Sequence, residues 1–198
     1  MAKRLFDLVV ALGGLLVFGL PMLCIALWVR LDSPGPVFFR QQRVGRRGQL
    51  FLIHKFRTMV ADAPALGPAV TVGADPRITR AGAWLRQSKL DELPQLLDVL
   101  AGHMSIVGPR PEVPQYVALY PAALREQVLS VRPGITDPVS LHFADEGALL
   151  ARATDPEREY REVVLPAKLR AAAVYAAEAT LWSDLVVIGR TLKLLVSR

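Results

Sequence analysis

The chain has a single cysteine, Cys24, and that scarcity excludes two designs at once. No intrachain disulfide can form, and no cysteine spacing of a metal site exists. A reducing compartment suits such a chain. Aromatic residues make up only 7% of it, and they sit within apolar runs. That is too few, and too embedded, for a surface on which nucleic-acid bases stack. Internal repeats and low-complexity tails are also lacking, which sets solenoids and disordered tails aside. Residues 8 to 29 carry no charge at all.

What is present is apolar residue and positive charge, unevenly spread. The 198 residues are 52% hydrophobic and carry a net charge of +6. That length allows one domain with an appended membrane segment. The charge favours an anionic partner: nucleic acid, an anionic membrane surface or a phosphorylated substrate. Lys3 and Arg4 precede the apolar run Leu8 to Val29, which Arg30 closes. As a helix the run is about 33 Å long, enough to span a bilayer core. No small-residue cleavage site follows it, so a signal peptide does not fit. Pro21, with Gly13, Gly14 and Gly19 before it, disturbs a simple span, because proline removes a helical hydrogen bond and kinks the helix. Basic residues also lie on both flanks, and each flank thereby prefers the cytoplasm. A straight span and a hairpin that enters and leaves by one face are both open; a buried core helix is the third reading.

Asp32-Ser33-Pro34-Gly35-Pro36 is a turn by composition. Val37-Phe38-Phe39 and Leu50-Phe51-Leu52-Ile53 are predicted strands of a hairpin across a Gly-Arg turn. The cations between residues 40 and 57, Lys55 and Arg57 among them, suit a solvated face, a membrane surface or phosphate binding. Residues 61 to 79, rich in Ala, Pro, Gly and Asp, read as a mobile loop.

Ser88-Lys89-Leu90-Asp91-Glu92-Leu93-Pro94-Gln95-Leu96-Leu97 is the centre of the chain. Leucines at three- and four-residue steps predict a helix from about Pro94 to Leu100, ending near Gly102, after a short helix begun by Ala83-Trp84-Leu85-Arg86. Asp91 and Glu92 then stand at a helix N-terminus, where free N–H groups meet negative charge. Plain capping and acid chemistry both fit. Arg110 lies between Pro109 and Pro111, and Arg132 precedes Pro133. Flanking prolines restrain the backbone and pre-order an arginine for an anion; a rigid loop is the alternative. Further on, Asp155-Pro156-Glu157 begins a helix and Pro166 another. A last helix from Leu181 through Leu195, with Trp182, Arg190, Lys193 and Arg198, suits either core packing or a membrane interface.

Six motifs in this order carry a resemblance. They are Lys3-Arg4-Leu5-Phe6-Asp7, Asp32-Ser33-Pro34-Gly35-Pro36-Val37-Phe38-Phe39-Arg40-Gln41, Lys55-Phe56-Arg57-Thr58-Met59, Leu90-Asp91-Glu92-Leu93-Pro94-Gln95-Leu96, Met104-Ser105-Ile106-Val107-Gly108-Pro109-Arg110-Pro111 and Arg132-Pro133-Gly134-Ile135-Thr136. Together they resemble the bacterial sugar transferases, the monotopic phosphoglycosyl transferases, over nearly the whole chain. The resemblance implies transfer of a sugar 1-phosphate from a nucleotide diphosphate sugar, a UDP-sugar foremost, to polyprenyl (undecaprenyl) phosphate. Nucleoside monophosphate leaves, and assembly of an exopolysaccharide, capsule, O-antigen lipopolysaccharide or glycoprotein begins. It implies Asp91 as nucleophile and magnesium (Mg2+) ligand, Glu92 as its assistant, and a re-entrant helix broken at Pro21. Lys55, Arg57, Arg86, Arg110, Pro111 and Arg132 become candidate substrate-binding residues.

The expected fold is a mostly helical α+β protein. Residues 1–31 form a kinked re-entrant membrane helix, and residues 32–198 a small membrane-associated catalytic domain with a short β-hairpin and amphipathic helices. Its expected place is the cytoplasmic face of the bacterial inner membrane, among membrane lipids and with no nucleic-acid partner. The oligomeric state stays open, a homodimer included.

The chain also departs from the family pattern. Gly19-Leu20-Pro21 replaces a Ser-Pro pair, Asp98 stands where asparagine is common, and His103 where aspartate is common. Residues 137–146 replace a Gly-Trp-Ala-Gln type stretch. Within them His142 is expected to be structural, and Asp145-Glu146 has no motif to make it catalytic. Ala172 stands where an acidic residue is common before the tyrosine matched by Tyr175. The rival function is a non-catalytic membrane-bound protein that binds phosphorylated lipids or a partner enzyme. Nucleic-acid binding ranks last.

Overall fold

The computed structural model describes residues 1–67, 75–139 and 150–196. His142 and the Asp145-Glu146 pair, with most of the 137–146 departure, lie outside the described residues, as does the middle of the 61–79 stretch.

The uncharged run becomes one long helix, α1 (Ala2–Asp32). Helical structure continues through Pro21 without interruption. By length and composition α1 is long and apolar enough to cross a membrane. Its inner stripe, Ala11, Met22, Ile25 and Val29, is buried, while Leu5, Leu16, Leu20, Leu23 and Leu31 stand exposed. An isolated helix of this kind would leave such an apolar face unsatisfied in water.

The hairpin forms as expected but longer. Strand β1 (Phe38–Val44) pairs antiparallel with β2 (Leu50–Phe56), in register from Phe38 with Phe56 to Val44 with Leu50. Downstream come α2 (Ala63–Leu66), α3 (Arg80–Ser88), a 3-10 turn (Leu90–Glu92) and α4 (Gln95–Ala101). Helix α3 starts with two caps: Thr79 Oγ1 accepts from Gly82 N at 3.0 Å and Asp32 Oδ2 from Ala81 N at 2.9 Å. Gly82 also lets α3 approach the backbone of Thr58; a Cβ there would stand 2.0 Å from Thr58 O.

The two proline-arginine loops are not isolated. Strand β3 (Ser105–Val107) pairs in parallel with β4 (Gly134–Thr136), between which lie α5 (Pro114–Val117) and α6 (Ala122–Val128). Gly108 N donates to Thr136 O at 3.1 Å and Gly134 N to Pro109 O at 3.0 Å. A Cβ on Gly134 would lie 2.1 Å from Gly108 N, so glycine is required for this approach. Sequence reading placed loops here, because three-residue strands carry no usable periodicity.

At the C-terminal end, α7 (Pro156–Glu159), a π-helical segment (Tyr160–Val164) and α8 (Leu165–Glu178) run on as one helical stretch. Asp155 caps its start, accepting from Arg158 N at 3.0 Å. The separate helix expected at Pro166 is therefore a continuation. Proline has no N–H and its ring crowds the preceding turn, and the widened π turn lies at that place. Helix α9 (Leu181–Val196) follows.

Four apolar clusters hold the described elements together, and two of them include α1. One joins Ala11 of α1 with Phe51 and Ile53, Leu96 and Val99, Met104, Ile106, Val107, Tyr175 and Val187. The other joins Met22, Ile25 and Val29 of α1 with Phe56, Ala81 and Leu85. Helix α1 thus packs into both. Buried polar groups reinforce this end of the fold: Asp7 Oδ1 accepts from Ser105 Oγ at 2.9 Å and from Ile106 N at 3.1 Å. Lys3 Nζ lies 2.7 Å from Asp184 Oδ2, and Tyr175 donates to Asp184 Oδ1 at 2.7 Å. Arg4 donates to Val99 O and Leu100 O, a cation at the C-terminal end of α4.

Candidate active site

The Asp91–Glu92 pair sits in the 3-10 turn between α3 and α4, not in the first turn of a long helix. Pro94 precedes α4, and neither carboxylate caps it by a side-chain hydrogen bond. The pair is therefore not explained by capping.

The two carboxylates differ sharply. Glu92 Oε1 accepts from Lys55 Nζ at 2.8 Å and from Arg110 Nη2 at 2.6 Å. Burial alone would raise the Glu92 carboxyl, but Arg110 and Lys55 outweigh it and hold the group well below the usual carboxylate range. Burial lowers Lys55 in turn, with Glu92 opposing. Asp91 goes the other way. Its Oδ1 is buried with no hydrogen-bond partner among the described residues, and burial, then repulsion from Glu92, raise its carboxyl. Adjacent acids pushed apart in this manner are the pattern of groups with divided roles. Glu92 is a fixed anion that anchors two cations; Asp91 is left with an oxygen that none of the described residues engages.

Of the other expected site residues, Arg86 stands half-buried near Asp91, its Nε donating to Thr58 Oγ1 at 2.9 Å, and the Asp91 charge acts on it. Pro111 is buried, and its carbonyl accepts from Arg43 Nη1 at 3.0 Å. Arg57 lies elsewhere. The residue is 4% exposed, and its guanidinium donates to Pro36 O, Pro34 O, Ser33 O, Ser33 Oγ and Val29 O, in the end of α1 and the turn that leaves it. Five rigid donors matched to one turn leave no fork for a phosphate. Arg132 donates through Nε to Gly102 O at 2.9 Å, outside the ion cluster on Glu92. His103 is exposed after Gly102 and stacks on Phe51 with ring centroids 5.5 Å apart.

Sequence reasoning missed the partner of Asp98. The Asp98 side chain is 1% exposed, accepting from His54 N at 2.9 Å and standing 2.7 Å from His54 Nδ1. An ionised carboxylate only accepts, so Nδ1 carries a proton. This ties β2 to α4 one residue from the Lys55–Glu92 contact. The departure from asparagine at Asp98 was the available signal, but its partner lies 44 residues away.

A shallow recess opens beside Arg110, with Glu112, Tyr120, Asp137 and Lys168 in its wall. For a divalent cation, the described residues contain no group of three His, Cys, Asp or Glu side chains placed to hold one. The orphaned Asp91 Oδ1 does fit Mg2+, which is bound by one or two carboxylates together with substrate phosphates rather than by an all-protein cage.

The model of the bacterial sugar transferase family matches residues 1–198. The chain belongs to the bacterial sugar transferase family. Among similar family members, the exopolysaccharide production protein PSS of Rhizobium leguminosarum bv. phaseoli is 53% identical over 109 residues, covering 54% of each chain. The undecaprenyl-phosphate glucose phosphotransferase of Komagataeibacter xylinus is 39% identical over 98% of this chain and 35% of its own. The UDP-glucose:undecaprenyl-phosphate glucose-1-phosphate transferase of Caulobacter vibrioides is 36% identical over 100% of this chain and 70% of its own. This sugar transferase chain thus spans 54% and 35% of the lengths of the first two relatives.

Proposed function

We propose that this chain is a phosphoglycosyl transferase that moves a sugar 1-phosphate from a UDP-sugar to undecaprenyl phosphate. One observation carries the reading: Asp91 keeps a buried oxygen, unpartnered among the described residues, beside a Glu92 already claimed by Lys55 and Arg110. A carboxylate nucleophile needs an oxygen not tied up in a hydrogen bond, and two-step displacement through it is a recurrent solution. The names of the relatives support the substrates.

In the first step an Asp91 oxygen forms a bond to the sugar-bearing phosphorus. The bond from that phosphorus to the bridging oxygen breaks, and UMP leaves with the electron pair. In the second step a phosphate oxygen of the lipid attacks the same phosphorus, the bond to Asp91 breaks, and the carboxylate is restored. Glu92 stays ionised and orients Arg110 and Lys55 toward the transferring group. When bound at Asp91, magnesium would neutralise diphosphate charge. Helix α1 with its exposed leucines would seat the site at the inner-membrane surface, on the cytoplasmic side where the nucleotide sugar is supplied. Its re-entrant course, bent at Pro21, would let both basic flanks stay on that side.

The test is UMP release from a panel of UDP-sugars by detergent-solubilised protein with magnesium and undecaprenyl phosphate. Multiple-turnover release that requires both Asp91 and the lipid is expected, with at most one UMP per chain when the lipid is left out; Asp91→Asn abolishes both and leaves the fold intact. Wild-type release that persists in Asp91→Asn would remove the nucleophile assignment. No release from folded, lipid-competent protein would favour a binding protein instead.

A further inference from the structure

Two helices flank the catalytic turn, and both end in a left-handed residue. At the end of α4 that residue is Gly102, with φ +88°. At the end of α3 it is Lys89, with φ +59° and ψ 14°. Glycine adopts this region freely, whereas a side chain with a Cβ is strained there. Strained backbone is retained where something else requires the side chain.

Lys89 is bonded into the turn that carries the two carboxylates. Its N–H donates to Arg86 O at 3.4 Å, and its carbonyl accepts from Glu92 N at 3.3 Å. The side chain is exposed, and its ammonium has no ion pair or hydrogen bond among the described residues. Its charge is among those that act on the Asp91 carboxyl and oppose the rise imposed by burial.

Charge balance gives this free ammonium a use. Lys55 and Arg110 are bound to Glu92, and with Asp91 the four charges cancel. A diphosphate that approaches Asp91 therefore meets no net attraction from that cluster. The surplus positive charge beside Asp91 comes from Arg86 and Lys89. Arg86 is half-buried and bonded to Thr58; Lys89 reaches solvent, where a soluble nucleotide arrives.

We propose that Lys89 is a contact for the anionic diphosphate of the nucleotide substrate, presented beside Asp91 by its left-handed turn. This rests on the transferase reading above and adds a residue to its substrate site. A lysine there solely as a favourable charge at the end of α3 is the competing account.

Titration of the full detergent-solubilised chain with UDP and magnesium, beside the UDP-sugar assay, separates the two. Lys89→Gly relieves the left-handed strain, so its melting temperature should hold or rise. Its UDP dissociation constant and its KM for the turned-over UDP-sugar should rise about 10- to 100-fold, as for a lost charge-assisted contact. Lys89→Asn, which tolerates the same backbone without charge, should match it, and Lys89→Arg should retain most of the affinity. Unchanged UDP affinity and KM in Lys89→Gly, with Asp91-dependent release intact, would overturn this proposal and leave the transferase reading standing. A wild-type chain that neither binds UDP nor releases UMP would overturn both.

Discussion

Arg110 Nη2 lies 2.6 Å from Glu92 Oε1, a contact that joins two sequence motifs 18 residues apart. Lys55 meets the same oxygen at 2.8 Å from the hairpin. Three motifs therefore converge on one carboxylate, and the neighbouring Asp91 stays free because Glu92 has taken their charge.

Replacing Glu92 with glutamine keeps the shape and removes that anion. Arg110 and Lys55 then face each other with only the Asp91 charge nearby. Stability should fall by about 1–3 kcal/mol in urea denaturation. UMP release should fall by about 100-fold in kcat/KM, the scale of a lost electrostatic contact at a reacting centre. A variant with wild-type stability and turnover would show that the cluster is not anchored by Glu92.

Acid should affect the two carboxylates in opposite senses. The folded carboxyl of Glu92 is held well below 4.5, so its ion pairs contribute stability above that value and lose it as pH falls through the folded value. Asp91 is raised above 3.8 in the fold, so its ionisation works against stability, and acidification relieves this. The nucleophile must be ionised, so kcat/KM for UMP release should lose activity on the acid side with an inflection above 3.8. An acid limb centred at or below that value would contradict the burial of Asp91.

Arg57→Lys tests a structural arginine against a phosphate-binding one. A lysine cannot reach the five acceptors that Arg57 bonds in the turn after α1. Thermal or urea unfolding should show a loss of about 2–3 kcal/mol, from the several buried carbonyls left unpaired. UDP affinity of the folded fraction should stay near wild type. Intact stability with weakened UDP binding would reverse the assignment.

Asp98→Ala strands His54 N–H and frees its ring. A loss of about 1–3 kcal/mol is expected. Asp98→Asn should lose less, because its amide oxygen still accepts from His54 N. The same substitution lets the amide donate to Nδ1, so the His54 proton should move to Nε2. Imidazole 15N shifts report that tautomer, and a tautomer unchanged between aspartate and asparagine would refute the contact.

The sequence by itself determined what is local or motif-based. The uncharged run made α1, leucine spacing with Gly102 made α4, and Asp155 ahead of Pro156 started α7. Six ordered motifs were enough for the family. Each of these signals lies within a few turns of chain, where 3.6-residue periodicity and capping chemistry operate. Only the tertiary structure decided which charge meets which. Arg57, Arg86, Arg110 and Lys55 are alike as cations in a sequence, yet one holds the turn after α1, one lies by Asp91 and two grip Glu92. The β3–β4 pairing, the Asp98–His54 tie and the Lys3–Asp184 ion pair likewise join distant residues. Such contacts arise because burial of polar groups demands a partner, and a short-range pattern does not say where in the chain that partner lies.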